Sequence, residues 1–198
     1  MNSNLLSPKN IAKIAILAAL SAILMQFRTP LPFAPNFIDF DVAEVPALIG
    51  GFAMGPIPGL IIVALKIFIK FLISGTSTAF IGELSNLVVN GSLVVVAAVY
   101  YKRNRTFKGA IISMILAVLT MATVATLSNY FIMFPLYANV YGIELEGLVQ
   151  MGAQVNPLVS DYKTLMLFTI VPFNLLKGIV TSLITTLLYP RISPILKK

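Results

Sequence analysis

Long apolar stretches separated by short polar or Pro- and Gly-rich segments account for most of this chain. Several are close to the roughly 20 residues that an α-helix needs to cross the hydrocarbon core of a bilayer. The pattern therefore predicts an all-α integral membrane protein with six transmembrane helices. We expect residues 1–198 to form a single six-helix transmembrane domain, because the sequence contains no convincing internal repeat and no sign of a second domain.

Proline, glycine and polar residues set the expected helix bounds. The GPIPG segment at 55–59 separates two helices, because each proline removes a backbone donor and clashes with the preceding turn. The predicted helices cover residues 11–27, 43–54, 58–73, 79–101, 109–134 and 164–189. The second is too short to span the bilayer unaided, so we expect neighbouring protein to bury it. Ser77 or Thr78 is predicted to cap the fourth helix, and a polar connection over 135–163 is predicted between the last two.

The distribution of charge predicts the orientation in the membrane. The formal net charge is +7, and basic residues concentrate at both termini and in the linker after the fourth helix. These residues are Lys9, Lys13, Lys102, Arg103, Arg105, Lys108, Arg191, Lys197 and Lys198. All the acidic residues fall toward the other side. The positive-inside rule then places both termini in the cytoplasm. The positive charge is interpreted as a topology signal, and no nucleic-acid partner is predicted.

The sequence contains no Cys and no His. Without Cys, the chain has neither thiol catalysis nor a Cys-based metal site. Without His, it lacks the commonest metal ligand and proton shuttle. The sequence also has no phosphate loop of the GxxxxGK[ST] type. We expect neither enzymatic activity nor a bound metal or cofactor. An intramembrane enzyme and a purely structural subunit are the alternatives from other classes.

Polar residues within the apolar helices point to a ligand site. Such residues are costly inside a membrane, so each needs a partner or a function. Glu83, Asn86 and Asn90 are three and four residues apart and share one face of the fourth helix. Asn174 and Lys177 share a face of the last helix. These two faces, with residues 128–130, are expected to converge on an outward-opening cavity whose apolar walls are Phe80, Tyr130 and Phe173.

Simpler explanations exist for the same residues. Asparagine often joins membrane helices by hydrogen bonds without any ligand, and Glu83 with Lys177 could form an internal ion pair. Lys66 and Lys70, one turn apart, are interpreted as snorkelling to an interface or facing a partner.

An acidic cluster precedes the second helix. Asp39, Asp41 and Glu44 lie where a ligand would arrive from outside, which makes them candidate contacts. They could equally serve to cap the second helix and complement its dipole.

Small residues recur on the first helix. Ala15 with Ala19, and Ala18 with Ala22, are spaced four apart, which allows another helix to approach closely. That helix could belong to a separate membrane subunit or to this same bundle.

Several long segments together resemble a known family. FDVAEVPALIGGFAMGPIPGLII, GELSNLVVNGSLVVVAAVYYKRNRT, VNPLV and TIVPFNLLKGIVTSLIT are similar to the riboflavin-specific substrate-binding (S) component of energy-coupling factor (ECF) transporters. The similarity covers nearly the whole chain. One departure is Val63, where some relatives carry an acidic residue.

The resemblance implies a function and partners. An S component captures its vitamin with high affinity from outside and does not hydrolyse ATP. A transmembrane coupling subunit and two cytosolic ATPases power uptake. Another vitamin or small molecule, or a standalone transporter, is the alternative.

The resemblance also selects site residues. The ligand-binding residues that it implies are Asp39, Phe40, Asp41, Ala43, Glu83, Asn86, Asn129, Asn174 and Lys177. The implied docking residues for the coupling subunit are Ala15, Ala18, Ala19 and Ala22.

Overall fold

A computed structural model describes residues 7–35 and 37–197 of the protein, with the backbone alone for 193–197. The described chain is helical apart from two short strands and the connecting loops. The helices are α1 (Pro8–Leu24), α2 (Glu44–Met54), α3 (Pro56–Ser74), α4 (Ile81–Arg103), α5 (Phe107–Ser128), α6 (Phe134–Tyr141), α7 (Leu145–Val155), α8 (Tyr162–Leu165) and α9 (Val171–Lys197). Strands β1 (Thr29–Pro30) and β2 (Asp39–Phe40) pair antiparallel within the first loop.

Among the described residues, four helical segments are long and apolar enough to cross a membrane: α3, α4, Phe107–Tyr141 and Tyr162–Ile192. Helix α1 has 17 residues and α2 has 11. All but two residues of α2 are buried, because α1, α3, α4 and α9 surround it. The expectation that this short helix is enclosed by neighbouring protein is confirmed.

The predicted break between α2 and α3 falls at Gly55. This residue has φ 107° and ψ 176°, a conformation open only to glycine. Pro56 and Pro58 then occupy the first turn of α3, where a missing N–H costs nothing. The chain can therefore reverse within one residue and bring α2 and α3 side by side.

Two long helices each contain one π-helical turn. Segment π1 (Asn129–Met133) joins α5 to α6, and π2 (Met166–Ile170) joins α8 to α9. The wider turn leaves local backbone groups for other partners, and it is frequent at functional sites. The hydroxyl of Tyr162 donates to the carbonyl oxygens of Asn129 at 3.2 Å and Tyr130 at 2.9 Å, so α8 fixes π1.

The prediction of a polar connection over 135–163 is wrong, because most of this segment is helical. Helix α6 continues the preceding span without a break, and α7 follows after Gly142, whose φ of 63° ends α6. Leu148 and Gly152 are the buried residues of α7, so this helix lies over the bundle on one face.

Helix α4 starts in a constrained way. Ala79 and Phe80 both have positive φ, 46° and 67°, although neither is glycine. The hydroxyl of Thr78 accepts from the N–H of Gly82 at 3.0 Å. The predicted N-cap at Ser77 or Thr78 is therefore wrong, because Phe80 flanks the helix, although the Thr78 hydroxyl still serves its first turn.

Candidate ligand-binding site

A cavity of about 210 Å³ lies at the end of the bundle where α4 begins and α5 ends. Its walls come from the first half of α4, π1, α6, the start of α9 and the first loop. One residue of α7, Leu148, also lines it. This end is opposite the basic linker between α4 and α5, where α4 terminates with Lys102 and Arg103.

Four asparagine side chains line the cavity from three elements: Asn86 and Asn90 from α4, Asn129 from π1 and Asn174 from α9. The side-chain nitrogens of Asn129 and Asn174 each donate at 2.8 Å to a carbonyl oxygen four residues earlier. The amide oxygens of Asn86 and Asn90 are buried without a hydrogen-bond partner among the described residues. Because an unpaired buried acceptor costs about 1–3 kcal/mol, the cavity favours a ligand that brings donors.

Lys177 supplies a cationic donor to this cavity. It lies one turn after Asn174 on α9, and its side chain is 6% exposed. Its ammonium nitrogen donates to Asp41 Oδ2 at 3.1 Å and lies 3.5 Å from Glu44 Oε2. The proposed ion pair between Lys177 and Glu83 is therefore wrong, since the carboxylates beside Lys177 come from the segment before α2 and from its first turn.

Glu83 instead pairs with Lys70 of α3, with 3.0 Å between Nζ and Oε1. The hydroxyls of Thr76 and Thr78 each donate to its other oxygen at 3.0 Å. Lys70 also donates to the carbonyl oxygen of Gly75 at 3.1 Å. Glu83 thus holds the α3–α4 loop beside the cavity rather than lining it.

Lys66 lies one turn before Lys70 and pairs with Glu44; both side chains are fully buried. Lys70 is 6% exposed. The interpretation of these lysines as snorkelling or partner-facing side chains is therefore wrong, because each neutralises a carboxylate inside the bundle.

The members of the acidic cluster have different environments. Asp39 lines the mouth of the cavity and forms a half-exposed pair with Arg28 at 3.4 Å. Asp41 is buried, and its Oδ1 accepts from the N–H of Ala43 at 2.9 Å. Burial raises the pKa of Asp41, but Lys177, Lys66 and this N–H outweigh it, so the pKa lies below its ordinary value. No side chain caps the N-terminus of α2, so the suggested capping role is not found. Glu44 does lie in the first turn, where its charge complements the helix dipole.

Apolar side chains form the rest of the cavity. Phe37 of the first loop meets Phe134 edge to face, with 5.6 Å between ring centroids. Further apolar walls come from Val89, Met133, Tyr137, Ile170 and Phe173. Such a mixture of apolar walls and a few convergent polar groups is usual for a small-molecule site.

Comparison with known proteins places this arrangement in a family. The family model described as "ECF transporter, substrate-specific component" matches residues 9–189. The chain belongs to this family. It is a family of transport proteins rather than a class of enzymes.

Individual relatives agree across nearly the whole chain. The riboflavin transporter RibU of Staphylococcus aureus (strain TCH60) is 29% identical over 98% of this chain and 96% of its own. The riboflavin transporter FmnP of Bacillus subtilis (strain 168) is 25% identical over 94% and 93%. A structure titled "Structure and mechanism of the S component of a bacterial ECF transporter" aligns with a TM-score of 0.72 and 29% identity, covering 95% of this chain and 97% of that one.

In this S component, the structure separates the predicted binding residues into two groups. Asp39, Asn86, Asn129, Asn174 and Lys177 line the cavity. The remaining predicted residues, Phe40, Asp41, Ala43 and Glu83, are not among its lining side chains. Of these, Asp41 reaches the cavity only through its hydrogen bond with Lys177.

Two of the predicted apolar walls are also placed elsewhere. Phe80 is 55% exposed and its ring lies 4.9 Å from that of Phe71. Tyr130 stacks on Tyr162 at 4.8 Å. The predicted binding set omitted the polar lining residues Thr78, Ser85 and Asn90, although Asn90 lies four residues after Asn86 on the same face. Phe37 comes from the first loop, Tyr137 from α6 and Leu148 from α7, and the sequence pattern of these segments carried no signal for the site.

The alanines of α1 also divide into two groups. Ala18 and Ala22 are 0% exposed and pack inside the bundle. As docking residues they are therefore a wrong prediction, because a partner cannot reach them. Ala15 and Ala19 are exposed and stay available for one.

Proposed function

We propose that this protein is the riboflavin-binding S component of an ECF transporter and captures the vitamin from outside the cell. The observation that carries the proposal is the cavity with four asparagine amides, two of them with unpaired buried oxygens, beside the ammonium group of Lys177. The identity of the vitamin follows from the relatives, which are riboflavin transporters.

The chemistry of riboflavin complements this lining. Its ribityl hydroxyls and ring N–H are donors, which the oxygens of Asn86 and Asn90 need. Its ring carbonyls are acceptors, which suit the N–H groups of Lys177. The flat ring system suits an apolar space bounded by Phe134, Phe173 and Ile170. Asn129 and Asn174, whose nitrogens bind their own helices, offer their oxygens to the ligand.

The proposed topology has six transmembrane helices, with both termini in the cytoplasm and one transmembrane domain embedded in the lipid bilayer. Four basic residues, Lys102, Arg103, Arg105 and Lys108, lie in or near the α4–α5 linker, away from the cavity. The positive-inside rule places that end in the cytoplasm, so the cavity faces outward, where the vitamin arrives.

The proposed partners are a transmembrane coupling subunit and, through it, two ATPase subunits. Ala15 and Ala19 of α1 offer an exposed small-residue surface for the coupling subunit. The S component itself then binds vitamin without hydrolysing ATP.

Purification from cells grown with the vitamin tests this function. We expect a protein with the visible absorption spectrum of a flavin, and extraction of the ligand should return riboflavin. Titration with thiamine and biotin serves as the control. A colourless protein that binds one of these vitamins and not riboflavin would establish the alternative, an S component for another substrate.

A further inference from the structure

Four charged side chains form a buried ion-pair chain that ends at the cavity: Lys66, Glu44, Lys177 and Asp41. They come from α3, α2, α9 and the segment before α2. Lys66 donates to Glu44 Oε1, Lys177 lies 3.5 Å from Glu44 Oε2, and Lys177 donates to Asp41 at 3.1 Å. The exposed fractions of these side chains are between 0% and 6%.

Lys66 is the member of this chain farthest from the ligand. It does not line the cavity, and its side chain is fully buried. Its charge nevertheless completes a balance of two cations and two anions. An uncompensated charge in such surroundings is strongly unfavourable. The loss of Lys66 would therefore leave one cation, Lys177, facing two carboxylates.

The geometry at Glu44 shows how Lys66 affects Lys177. A distance of 3.5 Å between Lys177 Nζ and Glu44 Oε2 is too long for a good hydrogen bond. Glu44 Oε2 has no hydrogen-bond partner among the residues that the structure describes. Because Lys66 already neutralises Glu44 through Oε1, Glu44 does not draw the Lys177 ammonium into full contact. The ammonium group has three N–H donors, and at this distance from Glu44 it remains at the cavity wall.

We propose that Lys66 is a positioning residue for ligand binding, which acts through Glu44 to keep the Lys177 ammonium available at the cavity. This inference rests on the proposed riboflavin function. It assigns a role in ligand recognition to a helix, α3, that contributes no side chain to the cavity lining.

Riboflavin titrations of purified variants test the proposal. In Lys66→Met, Glu44 becomes an unpaired anion that draws Lys177 inward, so riboflavin should bind about tenfold or more weakly, the loss of one hydrogen bond to a charged donor. In Lys66→Met/Glu44→Gln the excess charge is gone, and the affinity should return to within about threefold of the wild type. Lys66→Arg, which keeps the charge, should bind nearly as the wild type does.

Lys70→Met/Glu83→Gln is the matched control. It removes the neighbouring ion pair between Lys70 of the same helix and Glu83 of α4, which does not touch Lys177. Thermal melts of the ligand-free forms report stability separately. The visible spectrum of bound flavin responds to hydrogen bonding at the ring, so Lys66→Met should shift it toward the spectrum of Lys177→Met. The double variant with Glu44→Gln should restore the wild-type spectrum.

The outcomes separate this inference from the proposed function. Absence of riboflavin binding by the wild type overturns both. If the wild type binds, wild-type affinity and spectrum in Lys66→Met overturn the positioning role. The same conclusion follows if Lys66→Met/Glu44→Gln binds no better than Lys66→Met. Should Lys66→Met fail to fold, Lys66→Gln, which loses the charge but keeps a polar side chain, replaces it in the same comparison: weaker binding and a shifted spectrum that Glu44→Gln restores support the role, and wild-type affinity and spectrum in Lys66→Gln overturn it.

Discussion

Three lysines inside apolar helices each face a carboxylate that lies far away in the sequence. Lys177 meets Asp41, 136 positions earlier, Lys66 meets Glu44, and Lys70 meets Glu83. The clustering of acidic residues before and within α2 therefore has a structural cause: two of the three neutralise buried ammonium groups beside the cavity. Asp39, which is half exposed with Arg28, is the one left at the mouth.

Removing Lys177 is expected to destabilise the ligand-free protein. Lys177→Met leaves Asp41 without its partner and Glu44 with Lys66 alone, and breaking a buried pair in this way costs about 3–5 kcal/mol. Lys177→Met/Asp41→Asn should recover much of that loss. Unfolding of the ligand-free forms in detergent measures both.

The matched control for this prediction is Lys177→Met/Glu83→Gln. Glu83 belongs to Lys70, so this second change should lower stability further. Recovery of stability in this variant, and none with Asp41→Asn, would show that Lys177 pairs with Glu83 in the membrane.

At the scale of elements, the site depends on two interruptions of regular helix. The break at Gly55 folds α2 into the bundle. Asp41 and Glu44 then lie within 3.5 Å of the Lys177 ammonium nitrogen. The π-helical turn π1 carries Asn129 and Met133 to the cavity. In both cases the interruption directs polar groups to the cavity region, whereas a continuous helix would direct them away from it.

Gly55→Ala should cost about 1–3 kcal/mol of stability, because φ 107° is a conformation that only glycine adopts without strain. Gly147→Ala is the control. It lies within α7, where an added Cβ meets nothing within 4 Å, and alanine should stabilise that helix by up to about 1 kcal/mol. Equal effects of the two changes would contradict the role given to the Gly55 conformation.

Tyr162→Phe tests the second interruption. Loss of the hydroxyl frees the carbonyl oxygens of Asn129 and Tyr130, so riboflavin affinity should fall about 3- to 10-fold through loosening of π1. Tyr137→Phe offers the comparison, because Tyr137 lines the cavity itself. A larger loss in Tyr137→Phe than in Tyr162→Phe would show that direct contact, and not the turn, governs affinity.

The sequence predicted the polar helix faces and the break before α3, but it did not predict the ion-pair partners or the helices α6 and α7. Helical periodicity placed Asn86 with Asn90 and Asn174 with Lys177, because residues three or four apart share a face. The GPIPG segment predicted the break between α2 and α3, because proline cannot continue a helix. Partners of the lysines could not be predicted, since Lys177 and Asp41 meet only after the bundle assembles. The helices α6 and α7 were missed because their polar residues face away from the bundle, which gives these segments the composition of a loop.

At the scale of the whole molecule, one end of the bundle holds the cavity and α1 presents one small-residue surface. Ala15 and Ala19 are exposed there, and Ala18 and Ala22 are buried against the protein's own helices. The α1 surface and the cavity are therefore separate features, and variants can affect one without the other.

Ala15→Trp and Ala19→Trp should abolish vitamin uptake by cells that contain the complete transporter, while riboflavin binding by the purified protein stays normal. A bulky ring at either position prevents close approach of another helix. Ala18→Trp is the control, because overpacking a filled core should cost about 1–3 kcal/mol or more of stability. Parallel loss of binding and uptake in Ala15→Trp would show that this face packs within the bundle.

The central claim is that riboflavin binds in the asparagine-lined cavity, and isothermal titration of the wild type and Asn174→Ala with riboflavin tests it most directly. We expect one site per chain in both proteins, with affinity in Asn174→Ala roughly 5- to 150-fold weaker because one buried hydrogen bond is lost. The melting temperature of the ligand-free forms should fall little, since among the described residues the Asn174 side chain bonds to the adjoining turn at Ile170 and to no other element. No binding by the wild type, or equal affinity in the two proteins, would contradict the account.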